Sequence, residues 1–280
     1  MTLDRRIGSA HRFRSGSWLE RCVDRIRGSR SLPAPRLLRT IHEAVLDRWP
    51  GDHLVSTLPD GERVRVAAKY RSLSWNPDEY RAFHASVRPG AVVFDVGANI
   101  GAYALLFAQW VGPRGRVFAF EPSPPSRTGL ERHLQLNDVE DRVEIVPAAV
   151  CDRSGHATFH LDRFGGMSGL HTSPDLAPTA LNVETTTLDR FCEERGVKPD
   201  VVKIDVEGAE LEVLRGARST LSSPDVIAFV EFHPSVWATR RMTAADVEHE
   251  LYDLGFVAAP LDPGFDIWTM EGVCARLTRR

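Results

Sequence analysis

Val92-Val93-Phe94-Asp95-Val96-Gly97-Ala98-Asn99-Ile100-Gly101 is the stretch on which the fold turns. Its first three residues are apolar on both faces, the pattern of a strand buried inside a parallel sheet. The stretch then enters a glycine-bounded turn and leads into the apolar helix Tyr103–Val111. Gly97 and Gly101 permit a tight turn and a close backbone approach to a ligand, and the helix N-terminus adds free N–H groups. Asp95 sets a carboxylate at the strand end, where it attracts an ammonium or a sulfonium. The spacing is GxxxG, not the GxGxxG of a dinucleotide fold, so the loop is poorly suited to a pyrophosphate.

Outward from this unit, strands and helices alternate. Arg116–Glu121 reads as a second strand, and Ser123 caps a helix with Pro124 and Pro125 in its first turn. Val143–Val146, Asp200–Val206 and Val226–Phe232 read as the third, fourth and fifth strands. Residues 156–187 resemble a hairpin with a Gly-rich loop. A helix begins at Glu210 and Glu212 and ends near Arg215 and Arg218, the polarity its dipole favours. Thr243–Leu254 is a last helix, and the tail adds two antiparallel strands. The pattern predicts an α/β fold: a doubly wound, mostly parallel, seven-stranded sheet. Upstream, residues 52–75 read as a small hairpin turning at Pro59-Asp60-Gly61, Asp78–Val87 as a helix, and residues 1–50 as helical and irregular. Two domains are expected: an accessory helical and hairpin extension over 1–75, and the main domain over 76–280.

Composition excludes several classes. Of 280 residues, 42% are hydrophobic and 26% charged, which rules out a wholly disordered or fibrous chain. No stretch approaches the ~20 apolar residues of a membrane span, and Arg5, Arg6, Arg12 and Arg14 interrupt any signal-peptide core. A cytoplasmic protein is expected. The net charge of −3 hides a basic arm: residues 1–50 hold 11 Arg and 5 acidic residues, so the remainder is strongly acidic. Arg outnumbers Lys throughout, so Arg enrichment carries no inference of nucleic-acid binding. Cys22, Cys151, Cys192 and Cys274 are scattered, without zinc spacing.

Glu121 lies 24 residues after Gly97, at the end of the second strand. In a nucleoside-binding α/β sheet that position faces the ribose, and a carboxylate there accepts both hydroxyls. These features resemble the class I S-adenosylmethionine-dependent methyltransferase fold, which is Rossmann-like. Five segments, in order, resemble the FkbM-type methyltransferases: Asp95–Gly101, Phe120–Ser123, Thr187-Leu188-Asp189, Val202–Glu210 with Leu214–Ala217, and Glu231-Phe232-His233. The resemblance covers about residues 76–235. It implies an O-methyltransferase using S-adenosyl-L-methionine, with a hydroxyl on a sugar, polyketide or other secondary metabolite or glycolipid as acceptor. It also implies cofactor contacts at Asp95, Gly97, Asn99, Gly101 and Glu121. Pro147-Ala148-Ala149-Val150 lacks the acidic residue usual after the third strand, which leaves backbone or Asp152 to meet the adenine.

Methyl transfer to an alcohol needs alignment and proton removal. Alternation puts Lys203 and Asp205 on one face of the fourth strand, and Glu231 and His233 on one face of the fifth. Asp205, Glu231 and His233 are expected to converge at the crevice, with His233 as general base because its ordinary pKa is near 6.5. The same three side chains suit a divalent cation, but nothing in their spacing demands one, and no metal is expected. Glu207 is a fourth candidate, or a partner for backbone N–H groups. The Gly165–His171 loop is a candidate acceptor lid with His171 as a second base; Trp75, Trp237 and Trp268 are candidate stacking surfaces. The alternatives are a nicotinamide-dependent dehydrogenase and a non-catalytic nucleoside-binding module. The basic arm reads as a packing surface, on the body or on a second copy in a homodimer, or as a handle for an anionic acceptor, carrier protein or membrane surface.

Overall fold

A computed structural model describes residues 52–71, 73–161, 168–171 and 179–280. The expected helices of residues 1–50 lie outside the described residues. The chain divides into two compact units, Met1–Tyr80 and Arg81–Arg280.

In the first unit, β1 (His53–Thr57) and β2 (Arg63–Ala67) form an antiparallel hairpin with Val55 opposite Arg65. It turns where Gly61 adopts a left-handed φ of 92° and donates its N–H to the Leu58 carbonyl at 3.0 Å. Helix α1 (Pro77–Ser86) follows in the chain and contains the division between the units at Tyr80.

The second unit carries the strand–helix alternation. In chain order it contains β3 (Val92–Val96), α2 (Ala102–Val111), β4 (Arg116–Phe120), α3 (Pro124–Leu136), β5 (Val143–Val146), β6 (Ala148–Val150), β7 (Gly155–Leu161) and β8 (Thr179–Thr186). Then come α4 (Leu188–Arg195), β9 (Val201–Ile204), α5 (Glu210–Arg215), α6 (Arg218–Ser222), β10 (Ile227–Phe232), α7 (Pro234–Thr239), α8 (Ala244–Asp253), β11 (Phe256–Pro260) and β12 (Val273–Arg279).

Seven of these strands form one sheet in the order β11-β12-β10-β9-β3-β4-β5. The pairs from β10 to β5 are parallel, and β12 pairs antiparallel with both β10 and β11. The strand order therefore reverses between β3 and β9. In an open α/β sheet the crevice at such a reversal, outside the carboxyl ends of the strands, is where ligands bind. The doubly wound, seven-stranded expectation is met. β3, β4, β9 and β10 are almost wholly buried, which is why they read as continuous apolar runs rather than alternating ones. On one face of the sheet Phe191 meets Phe94, Phe118 and Phe120 edge-on, with ring centroids 4.9 to 5.6 Å apart.

Two features depart from the sequence expectation. β7 and β8 form the expected hairpin, but Ala148–Val150 joins them as β6, parallel to β8, in a separate three-stranded sheet. The single helix expected from Glu210 is broken in two at Gly216-Ala217. At Gly216 the backbone passes so close to Cys151 that a Cβ would lie 2.1 Å from its carbonyl oxygen. Asp189 then starts α6, accepting N–H bonds from Ser219 and Thr220 at 2.9 and 2.7 Å. Thr187 caps α4 by accepting from the Arg190 N–H at 3.0 Å. The Thr187-Leu188-Asp189 motif is thus a double helix start.

Candidate active site

The glycine turn after β3 is built against the protein's own chain. Gly97 and Ala98 both donate N–H bonds to the Phe120 carbonyl at 3.0 Å, locking the turn to the end of β4. Gly97 has φ 82°, and a Cβ there would stand 1.7 Å from the Asp205 carbonyl oxygen. Gly101 has φ 86°, and its Cβ would stand 2.4 Å from Leu130 Cδ1. The close backbone approach that required glycine is therefore to the end of β9 and to α3. Asn99 also takes a left-handed φ of 49°, which turns its N–H toward Glu121.

Glu121 braces two turns at once. One carboxylate oxygen accepts the Asn99 N–H and the other the Ser123 N–H, both at 2.7 Å. The side chain is buried, and burial pushes its carboxyl up to about 7 against the pull of those two bonds and of Arg127. The folded state thus holds this proton more tightly than the unfolded chain does between about pH 4.5 and 7. This contribution to stability is present below that window and lost as pH rises through it. Wild type is expected to lose melting temperature across the window more steeply than Glu121→Gln; parallel profiles would refute this.

A cavity opens at the β3/β9 reversal. Its wall includes Val96, Gly97, Asn99, Phe120 and Glu121 on one side, and Asp205, Val206, Glu207 and Ala209 on another. Ala148, Ala149, Val150, Phe159, Ser168 and Leu170 also line it. Three of the six residues expected at the cofactor are absent from this wall, as are Glu231 and His233 of the expected catalytic group. Gly101 is spent on the contact with α3. Asp152 is exposed and lies 3.9 Å from Arg153, because β6 turns its own residues, not Asp152, toward the cavity. Asp95 is 1% exposed, and neither of its oxygens has a hydrogen-bond partner among the described residues. Lys203 Nζ lies 4.0 Å away. Burial pushes the Asp95 carboxyl up to about 6, with Lys203 opposing and Asp205 adding to the rise.

Beside this wall the ends of β9 and β10 bring acidic groups around one imidazole, as strand alternation predicted. His233 is 3% exposed. Its Nδ1 meets Glu210 at 2.7 Å, and its Nε2 faces Glu207 at 3.4 Å and Asp205 and Glu231 at 3.9 Å each. Lys203 Nζ donates to the other Asp205 oxygen at 3.0 Å, so this buried lysine is paired. Burial alone would lower the His233 pKa. The bond to Glu210 and the charges of Glu210, Asp205 and Glu207 outweigh it and raise the imidazole to about 10. Asp205 is held below its ordinary value, burial being outweighed by Lys203 and His233. Glu207 is pushed up to about 7 by burial and by its acidic neighbours, against His233.

Glu210 is the functional residue that sequence reasoning missed. It reads as a first-turn carboxylate complementing a helix dipole, yet it is wholly buried. It accepts from Trp237 Nε1 at 2.8 Å and from the Gly208 N–H at 2.8 Å, besides His233. That frees Glu207 for the cavity wall, held there by a left-handed φ of 51°. The one available signal was the Gly208 between two glutamates, a turn that sends them in different directions. Trp237 is consequently a core anchor, and Trp268 packs against Phe232 with ring centroids 5.8 Å apart.

Of the expected lid, residues 168–171 are described. Gly169 pairs with His160, and Ser168 and Leu170 reach the cavity wall. His171 Nε2 lies 3.2 Å from Glu212, which also binds Arg240. These two partners outweigh burial and hold the Glu212 carboxyl down at about 2. His171 is thereby tied to Glu212 of α5.

The methyltransferase FkbM domain model matches residues 95–258. The chain is 30% identical over 151 residues to 2-O-methyltransferase NoeI of Sinorhizobium fredii, covering 48% of this chain and 60% of that protein. It is 31% identical over 180 residues to hexuronic acid methyltransferase AglP of Haloferax volcanii, covering 62% and 70%. It is 34% identical over 167 residues to 31-O-demethyl-FK506 methyltransferase FkbM of Streptomyces tacrolimicus, covering 49% and 63%. The matches thus span about three fifths to seven tenths of these relatives' lengths.

Proposed function

The chain belongs to the FkbM methyltransferase family, and from that membership we propose that it methylates a hydroxyl of a small-molecule or glycan acceptor using S-adenosyl-L-methionine. The observation that carries the reading is the cavity at the strand-order reversal, with Glu121 in its wall at one side and Asp205 and Glu207 at another, His233 lying 3.4 Å behind Glu207. Relatives named for a 2-O position, a hexuronic acid and a 31-O position support an oxygen acceptor on a sugar or polyketide.

The residues present fit the cofactor. Each Glu121 oxygen accepts a single N–H and keeps lone pairs for a ribose diol. Phe120, Val150, Phe159 and Leu170 give an apolar wall for an adenine, in place of the missing carboxylate after the third strand. Asp205 and Glu207 put negative charge where a cation is favoured. S-adenosylmethionine, when bound, supplies an electrophilic methyl group on a positively charged sulfur. Asn99 and Gly97 shape the turn beside it, and Asp95 acts from within the core, where its charge biases the site without touching it.

A neutral hydroxyl is a weak nucleophile, so the chain must take its proton. His233 is the expected base, but its ring of carboxylates keeps it protonated at neutral pH. In this proposal Glu207, in the cavity wall, accepts the proton, and His233 and Glu231 orient Glu207 and Asp205 and balance their charge. Residues 76–280 form the catalytic domain and 1–75 the accessory one. The protein acts in the cytoplasm, as a homodimer, on a small molecule or glycan rather than a nucleic acid.

Calorimetry is expected to register S-adenosylhomocysteine and not NAD; the reverse would overturn the reading in favour of a dehydrogenase. With labelled cofactor and a panel of hydroxylated acceptors, His233→Ala and Glu207→Gln are expected to lower turnover about 100-fold or more while S-adenosylhomocysteine affinity survives. Near-normal turnover in either variant removes that residue from the chemistry.

A further inference from the structure

We propose that Asp205, Glu231 and His233 together bind a divalent first-row metal cation at the edge of the cofactor cavity. The inference rests on the methyltransferase reading only for what the cation does there, which is to meet the acceptor oxygen; its binding stands on the geometry alone.

His233 is aimed. Its Nδ1 is committed to Glu210, and Glu210 is itself fixed by Trp237 Nε1 and the Gly208 N–H. An imidazole held at one nitrogen by a carboxylate presents the other as a ligand, the arrangement by which proteins orient metal-binding histidines. The Nε2 so presented belongs to a side chain 4% exposed and makes no hydrogen bond among the described residues. The nearest carboxylate oxygen, from Glu207, stands at 3.4 Å, and those of Asp205 and Glu231 at 3.9 Å. These distances exceed an N–H···O bond of about 2.7–3.2 Å. They match two ligands sharing one ion: bonds of about 2.0–2.2 Å place ligand atoms about 3 Å apart side by side and about 4.2 Å apart when opposite. One ligand atom from each of Asp205, Glu231 and His233 lies within 4.8 Å of the others, so closing on an ion takes about half an ångström.

The carboxylates are aimed as well. Lys203 meets Asp205 Oδ2 at 3.0 Å, Oδ1 faces His233 at 3.9 Å, and Glu231 also bonds the Asp205 carboxylate, so the two carboxylates already stand together. Gly272 leaves room for Glu231: a Cβ there would lie 3.1 Å from Glu231 Oε1. A cation at Nε2 displaces the proton that the imidazole otherwise carries there, which leaves to solvent, and takes over its balancing of the carboxylates. One imidazole with two carboxylates is a donor set for Mn²⁺, Fe²⁺, Co²⁺ or Zn²⁺ rather than for Ca²⁺, which takes oxygen alone. Asp205 also lines the cavity, so the cation would stand where an acceptor hydroxyl must arrive.

The test is Mn²⁺ titration of the full-length, chelator-stripped protein without cofactor, with free Mn²⁺ read by electron paramagnetic resonance. One saturable site per chain is expected. Asp205→Asn, Glu231→Gln and His233→Gln are each expected to weaken it at least tenfold with circular dichroism unchanged, while the surface variant Glu194→Gln leaves it as in wild type. S-adenosylhomocysteine binding is measured on the same samples. No saturable site up to about 1 mM Mn²⁺ in protein that binds S-adenosylhomocysteine overturns the metal site and leaves the methyltransferase reading intact. Equal affinity in all the variants also overturns it. A site lost in the three ligand variants, in protein that binds no S-adenosylhomocysteine, supports the cation and removes the cofactor.

Discussion

Gly97→Ala is expected to destabilise the protein by about 4 kcal/mol or more and to abolish S-adenosylhomocysteine binding. The added methyl would fall 1.7 Å from the Asp205 carbonyl oxygen, and that atom is backbone, not a side chain that can swing away. Alanine at φ 82° is strained in addition. Overpacking commonly costs about 1–3 kcal/mol, but here the ends of β3 and β9 must part, which places the change in the extreme class. Parting them moves the Asn99 N–H off Glu121 and Asp205 off Lys203, so cavity and acid cluster fail together. Denaturant unfolding and calorimetry check this. Near-wild-type stability and ligand affinity in the Gly97→Ala variant would show that the turn relaxes freely.

Glu210→Ala is the second large effect, expected to cost about 3–5 kcal/mol, the usual loss when one partner of a buried charged pair is removed. Three donors lose their acceptor at once: His233 Nδ1, Trp237 Nε1 and the Gly208 N–H. For a unit of about 200 residues that corresponds to a fall in melting temperature on the order of 10 °C. Glu210→Gln keeps the volume and one acceptor oxygen, so it is expected to recover part of the stability. It changes the charge beside His233 and so is expected to leave turnover depressed. Recovery of both would reduce Glu210 to a packing role.

The contrast between Glu121 and Glu210 shows how much of the site was legible. Glu121 could be found because its position is local: it ends a strand a fixed distance after a glycine turn, and the structure puts it in the cavity wall. Its second duty, bracing Asn99 and Ser123, was not legible, and it changes the variant's meaning. Glu121→Ala strips two amides of their acceptor, at about 1–3 kcal/mol each, so lost ligand binding must be separated from lost folding. Asp152 was expected at the cavity only for want of another carboxylate, and β6 supplied the wall instead.

Local periodicity determined the architecture. Two-sided apolar runs such as Val92–Phe94, helix starts such as Ser123-Pro124-Pro125, and their alternation leave few ways to bury the chain other than a doubly wound sheet, and strand alternation alone put Asp205, Glu231 and His233 at one end of it. Tertiary structure decided what those side chains are. A titratable group takes its character from what surrounds it in space, and the surroundings of His233 come from the separated turns, strands and helices that carry Asp205, Glu207, Glu210 and Glu231. From sequence the histidine is a base with an ordinary pKa. In the folded protein it is held at Nδ1 by a wholly buried glutamate and faces three more carboxylates through Nε2, and its pKa is far from ordinary. The glycines changed meaning for the same reason: the turn shows that Gly97 is needed, and only the neighbouring strand shows that it makes room for the Asp205 carbonyl.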